Sequence, residues 1–178
     1  MNTALLIIDV QNALVLDKPF DFEKIKNNIK LLLKASRKNG LEVIYVRHND
    51  KEGELKLNSY GWEIYDEIKP NKGEVIIEKS YNSAFKNTNL KNYLESKNIR
   101  DLIITGMQTE YCIATTCKVA FEYGFKVIIP EKTNTTFDNG DISAEFLYEY
   151  HNYSILNNRF AKIQNIEKVL KFIENYKN

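Results

Sequence analysis

The sequence has little of what builds specialised architectures. Two cysteines in 178 residues are too few for a disulfide framework, and they point to a reducing compartment. Three prolines and seven glycines exclude collagen-like and linker-rich chains. Two histidines, His48 and His151, are a thin supply of metal ligands. No apolar run approaches the roughly 20 residues that span a bilayer. The run Ala4–Ile8 is stopped by Asp9, without the basic flank and longer apolar core of a secretory leader. No membrane partner is expected, and a cytoplasmic location is the default. Charge of one sign is also missing. Lys+Arg is 25 and Asp+Glu is 24, a net +1, which argues against a nucleic-acid partner.

What is present is a chain that is 43% hydrophobic and 28% charged, too apolar for disorder. A chain of this size buries about 70% of its unfolded surface, enough for a core without staples. One domain over residues 1–178 is expected.

Short β-rich runs alternate with longer amphipathic ones. Thr3–Ile8, Leu41–Arg47, Glu74–Glu78, Asp101–Thr105 and Lys126–Pro130 are dense in Ile, Val and Leu and read as buried strands, with a short sixth near Phe160–Ile163. Helical spacing occupies Asp21–Asn39, Asn89–Lys97, Glu110–Tyr123, Ile142–Tyr150 and Ile166–Tyr176, and Gly40 and Gly124 stand where two of these helices should stop. The alternation predicts an α/β fold: three α-β-α layers around a mainly parallel six-stranded sheet, Rossmann-like in wiring. The long irregular stretch 49–73 carries Tyr60, Trp62 and Tyr65 and reads as a lid or pocket wall.

In open α/β sheets ligands bind beyond the carboxyl ends of the strands. Three reactive residues fall there: Asp9 after the first strand, Lys79 after the third, and Cys112 in the turn that opens the helix Glu110–Tyr123. A helix N-terminus and a nearby lysine both favour a thiolate, so the address of Cys112 predicts a lowered thiol pKa. Asp9 is placed to take the thiol proton and deliver it to a leaving group. Cys117 lies about 140° further around the same helix, among Ile113, Ala114 and Val119, and reads as structural. The turn Asp9-Val10-Gln11-Asn12 has no glycine, which excludes a dinucleotide fingerprint; a P-loop is also absent. A phosphoacceptor receiver domain would need an Asp where Lys79 stands.

These segments resemble the isochorismatase-like cysteine hydrolase superfamily, which includes nicotinamidases and N-carbamoylsarcosine amidase-like enzymes. Leu5-Leu6-Ile7-Ile8-Asp9-Val10-Gln11-Asn12 resembles its opening strand, Lys79-Ser80-Tyr81-Asn82-Ser83-Ala84-Phe85 its lysine segment, and Gly106-Met107-Gln108-Thr109-Glu110-Tyr111-Cys112 its nucleophile turn. The resemblance implies an Asp9–Lys79–Cys112 triad and a cis peptide at Met107-Gln108. It also implies an oxyanion site made by the backbone N–H groups of Gln108 and Cys112, and hydrolysis of a small amide or related C–N bond through a Cys thioester. Gln108, Tyr111, Phe85, Phe20, His48 and Trp62 are the candidate pocket residues, with a small amide-like molecule as the expected substrate. The strand end Arg47-His48-Asn49-Asp50 lacks the Asp-x-His metal motif of nicotinamidases, so no metal or other cofactor is expected. A homo-oligomer is implied as well. Two other readings stay open: a vinyl-ether hydrolase of the isochorismatase type, and a non-catalytic binding protein on the same scaffold.

Overall fold

The computed structural model describes residues 2–176. Its chain runs β1 (Asn2–Ile8), α1 (Asn12–Leu16), α2 (Phe22–Lys38), β2 (Glu42–His48), β3 (Val75–Lys79), α3 (Leu90–Ser96) and β4 (Ile99–Met107). There follow α4 (Ala114–Glu122), β5 (Lys126–Pro130), β6 (Asn134–Thr135), α5 (Ala144–Glu149), β7 (Lys162–Gln164) and α6 (Ile166–Glu174). The sheet has the order β3-β2-β1-β4-β5-β7, with β6 paired to β4, and every pairing of these strands is parallel. The predicted six strands thus become seven. The addition is the two-residue β6, too short to leave a run of apolar residues in the sequence.

Alternation along β1 explains the layering. Ala4, Leu6 and Ile8 point into one core with Ile44, Val46, Leu90, Leu94 and Ala120, under α3 and α4. Leu5 and Ile7 point into the other with Phe22, Ile25, Ile29, Leu32 and Val169, under α2 and α6. Because both faces are covered, the strand reads as a continuous apolar run rather than an alternating one. The third, fourth and seventh-residue spacing in α2 places Phe22, Ile25, Ile29, Leu32 and Leu33 on its buried face. Gly40, at φ 70°, follows the helix where the chain must turn into β2. No helix among the described residues is long and apolar enough to cross a membrane.

Two departures concern the site directly. The helix expected from Glu110 starts as a π-helical turn, Thr109–Ile113, and becomes α-helical only at Ala114. A second π segment, Tyr150–Leu156, continues α5. Such segments lie mostly at functional positions and leave no periodicity that a 3.6-residue pattern would reveal.

Strand order reverses between β1 and β4: the chain builds β1, β2 and β3 outward, then crosses back to lay β4 beside β1. The crevice at the carboxyl ends of those two strands is where such a sheet offers a ligand site. At Gly106 the strands approach so closely that a Cβ would lie 2.0 Å from the Ile8 carbonyl oxygen, and φ is +117°. Only glycine fits there.

Candidate active site

Four strand ends line up along that edge. β3 ends in Lys79, β2 in His48, and β1 in Ile8, directly before Asp9; beyond β4 the chain passes Gln108 and reaches Cys112 in the π-helical turn. His48 and Lys79 are register partners, so the lysine must reach past the end of β2 to meet β1. Its side chain is fully buried and does so. Nζ lies 2.6 Å from Asp9 Oδ2 and donates to Cys112 Sγ at 3.2 Å and to His48 Nδ1 at 3.0 Å. One ammonium therefore holds three side chains from three other segments.

Asp9 adopts φ 52°, the left-handed region that non-glycine residues seldom occupy. That conformation costs about 1 kcal/mol or more and persists only where the surroundings enforce it. Here the Asp9 N–H donates to the Val46 carbonyl at 2.9 Å, which fixes the turn. Oδ2 is taken by Lys79, whereas Oδ1 is buried with no hydrogen-bond partner. An unpartnered carboxylate oxygen inside the protein is costly, and it is an acceptor held ready for a proton. The nearest candidate is the thiol: Asp9, His48 and Cys112 place donor atoms within 4.8 Å of one another.

The electrostatics correct one expectation from sequence. Burial, followed by the Asp9 carboxylate, pushes the Cys112 thiol up to about 12, and the pull of Lys79 does not compensate. Burial also raises Asp9 above the ordinary carboxylate range, against Lys79. A single ammonium balances one anion. With Asp9 ionised that anion is the carboxylate, and Cys112 keeps its proton. The helix end and the lysine favour a thiolate, but desolvation of the buried sulfur outweighs both.

A cavity of about 180 Å³ opens over the thiol. It is lined by Asp9, Leu14, His48, Asp50, Leu55, Asn82, Met107, Gln108, Tyr111 and Cys112. Gln108, Tyr111 and His48 were expected here. Phe85, Phe20 and Trp62 are not in the wall. Phe85 packs against Tyr123 and Phe125 in the α3–α4 core. Phe20 packs on Tyr148. Trp62 covers the Arg47 guanidinium, 3.3 Å from its ring centre, and hydrogen-bonds to Asn49. Of the loop's aromatic residues, Trp62 thus secures the loop, Tyr65 packs edge-on against Phe22, and Tyr60 is exposed.

That loop is tied down by Gln11 and Asn12, two and three positions after Asp9. Gln11 donates to the carbonyls of His48 and Trp62, both at 2.9 Å, and accepts from His48 N–H at 2.9 Å. Asn12 donates to the Tyr60 carbonyl at 3.1 Å. Their role is to staple loop 49–73 to the site, which brings Asp50 and Leu55 to the cavity. Asp50, Asn82, Leu55, Leu14 and Met107 were not singled out from sequence. Asn82 stood within the lysine segment, three residues after Lys79, and its Oδ1 lies 3.9 Å from Sγ. Asp50 stands two residues after His48, a spacing that puts both side chains on one side of an extended chain.

Behind the nucleophile turn lies a buried polar chain. Thr109 Oγ1 donates to Asn134 Oδ1 at 2.7 Å, and Asn134 and Asn152 exchange amide hydrogen bonds at 3.0 Å. Asn152 also donates to the Tyr148 carbonyl at 2.8 Å. Through these bonds β6 and the second π segment hold the turn in place. The Met107–Gln108 peptide is cis, at the position the resemblance implied.

Asp9, His48 and Cys112 form a donor set of a kind that takes thiophilic divalent ions. The Lys79 ammonium sits among those same donor atoms, so a metal ion would compete with it for them. A larger hollow of about 520 Å³ lies elsewhere, lined by Phe121, Phe160 and Phe172. It touches Asp101 and Lys126, near the amino ends of β4 and β5, and contains neither Cys112 nor Asp9. The smaller cavity is where the chemistry is.

A thiol, a carboxylate and an imidazole clustered around a lysine ammonium, at the switch point of a parallel three-layer sheet, form a cysteine-hydrolase type of centre. The chain belongs to the isochorismatase family: the Isochorismatase domain model matches residues 3–167. It is 32% identical over 176 residues to the isochorismatase family protein YrdC of Bacillus subtilis, with 94% of each chain covered. It is 30% identical over 194 residues to the N-carbamoylsarcosine amidase of an Arthrobacter species, covering 96% of this chain and 71% of that one. Among solved structures, an isochorismatase-family hydrolase of Chromobacterium violaceum superposes with a TM-score of 0.90 at 26% identity, over 98% of this chain and 95% of that one. Family and reactive cluster together mark the protein as a hydrolase.

Proposed function

We propose that the chain works as one domain that hydrolyses a small amide through a thioester on Cys112, with Asp9 as the proton carrier and Lys79 as the charge that holds both. The observation that carries this reading is the Lys79 ammonium, shared between Asp9 Oδ2 at 2.6 Å and Cys112 Sγ at 3.2 Å, with Asp9 Oδ1 left as an open acceptor.

The thiol enters as a neutral group. As Sγ bonds to the amide carbon, its proton passes to Asp9, so the negative charge moves from the carboxylate to the substrate oxygen. The N–H groups of Gln108 and Cys112 would receive that oxygen; such donors contribute about 3–4 kcal/mol each to a developing oxyanion. The C–N bond then breaks, and nitrogen leaves with the Asp9 proton as ammonia or an amine. Water attacks the thioester, giving one proton to Asp9. Breaking the C–S bond releases the acid, and Asp9 returns the proton to sulfur. Lys79 stays charged throughout and keeps a counter-ion beside whichever group is anionic.

Gln108, Tyr111, His48 and Asn82 supply polar contacts around the reacting carbon, which suits a substrate with a small amide head. The similarity to an N-carbamoylsarcosine amidase supports a C–N bond as the target. Rapid-quench mass spectrometry with primary amides tests the reading. An acyl mass on the peptide containing Cys112, lost in Cys112→Ala, is the expected result; turnover retained in that variant would remove the thioester from the mechanism.

A further inference from the structure

Taking Cys112 as the nucleophile, as above, we propose that the cavity admits uncharged and cationic amides and rejects those carrying a carboxylate, with Asp50 as the residue that sets this preference. The charged side chains lining the cavity are both acidic, Asp9 and Asp50. Asp9 is neutralised by Lys79 at 2.6 Å. The lysine has nothing left for a substrate, because its side chain is fully buried and its ammonium already meets Asp9, Cys112 and His48. His48 is already occupied at both ring nitrogens: Nδ1 meets that ammonium at 3.0 Å, and Nε2 meets Asp50 Oδ1 at 3.0 Å.

Asp50 is therefore the second acidic charge on the lining, and its ion-pair contact is His48. Among the described residues no lysine or arginine pairs with it. Arg47, three positions before it, is turned away, paired with Glu78 and stacked on Trp62. Lys51 and Lys56 are exposed on the same loop and do not line the cavity. The Asp50 side chain is half exposed, so it acts on a bound group through a partly screened field that weakens as salt rises. An incoming carboxylate is repelled there. An N–H or ammonium group finds acceptors instead, in Asp50 and in Asn82 Oδ1.

Charge-matched thiol reagents test this without depending on turnover. 2-Aminoethyl and 2-sulfonatoethyl methanethiosulfonate each form a disulfide with the cysteine sulfur and release methanesulfinate; they differ in the sign of the group delivered. The rate of each at Cys112, located by mass spectrometry, is divided by its rate with 2-mercaptoethanol. The expected cation-to-anion ratio is on the order of tenfold at low salt, shrinking as ionic strength rises. In Asp50→Asn it should fall towards unity. A wild-type ratio at or below unity overturns the proposal, as does a high ratio that Asp50→Asn leaves unchanged. Should Asp50→Asn not fold, the wild-type ratio and its salt dependence still decide the preference. Hydrolysis of β-alaninamide and succinamate runs alongside, with the cationic amide expected to be cleaved faster. If neither is cleaved while the reagent ratio holds, the amide-hydrolase reading loses support and the charge preference stands.

Discussion

Cys112 and Cys117 sit five positions apart in one continuous helical stretch, yet their surroundings differ in kind. Cys117 is fully buried against apolar neighbours of the β1–β4 face, and burial alone holds its thiol above the ordinary range. Cys112 is 8% exposed, faces a cavity, and has an ammonium on its sulfur and an open carboxylate oxygen close by. Burial raises both thiols above the ordinary range. A reactive cysteine is therefore marked by what stands ready to take its proton more than by its own resting ionisation.

Exchanging the two cysteines in turn should break the comparison most widely. Cys112→Ala is expected to lower kcat by at least about 10³-fold. Cys117→Ala should leave kcat unchanged and lower stability by about 1–2 kcal/mol through the small cavity it leaves. Steady-state kinetics and urea melts separate the two effects. Equal kinetic losses would mean that the helix as a whole, and not one thiol, is what activity requires.

Lys79→Met sharpens the contrast from the electrostatic side. It leaves the Asp9 carboxylate buried without its partner, a change that typically costs about 3–5 kcal/mol. The double variant Asp9→Asn with Lys79→Met should recover much of that stability and none of the activity. If both variants melt like the parent protein, the pair is not what holds the strand ends together. Thr109→Val should have a smaller effect than the Lys79 variant. Asn134 Oδ1 loses that bond and keeps the one from Asn152, at a cost of about 1 kcal/mol, with a lower kcat as the nucleophile turn loosens. A kcat unchanged at equal stability would limit the buried chain to a structural role.

The sheet and its helices were legible because apolar runs and their 3.6-residue partners carry the signal directly. Ile25, Ile29 and Leu32 specify α2 by spacing alone. Asp9, Lys79 and Cys112 were legible because strand ends are identifiable and few reactive residues occupy them. The walls of the cavity were harder to read. Phe85, Phe20 and Trp62 looked like pocket residues for being large and aromatic, but each had a packing partner that sequence does not reveal. Asp50 and Leu55 reach the cavity on a loop held by Gln11 and Asn12 side-chain bonds and by scattered backbone bonds, none of which leaves a periodic trace. The raised thiol pKa escaped for a related reason: helix position is local and readable, whereas desolvation belongs to the assembled site.

The pH dependence of Cys112 alkylation by iodoacetamide, resolved from Cys117 by mass spectrometry, tests the central claim most directly. Burial and Asp9 place the folded thiol near about 12, above the ~8.5 of an unfolded cysteine. The rate should therefore keep rising past pH 8.5 with no midpoint below it. The same shift makes the native state less stable as pH climbs from 8.5, because the unfolded chain releases this proton first. In Asp9→Asn, with the carboxylate's repulsion gone and Lys79 unbalanced, the midpoint should move down. A wild-type midpoint well below 8.5, unmoved by Asp9→Asn, would show a resting thiolate and contradict the assignment of Asp9 as the group that takes the proton.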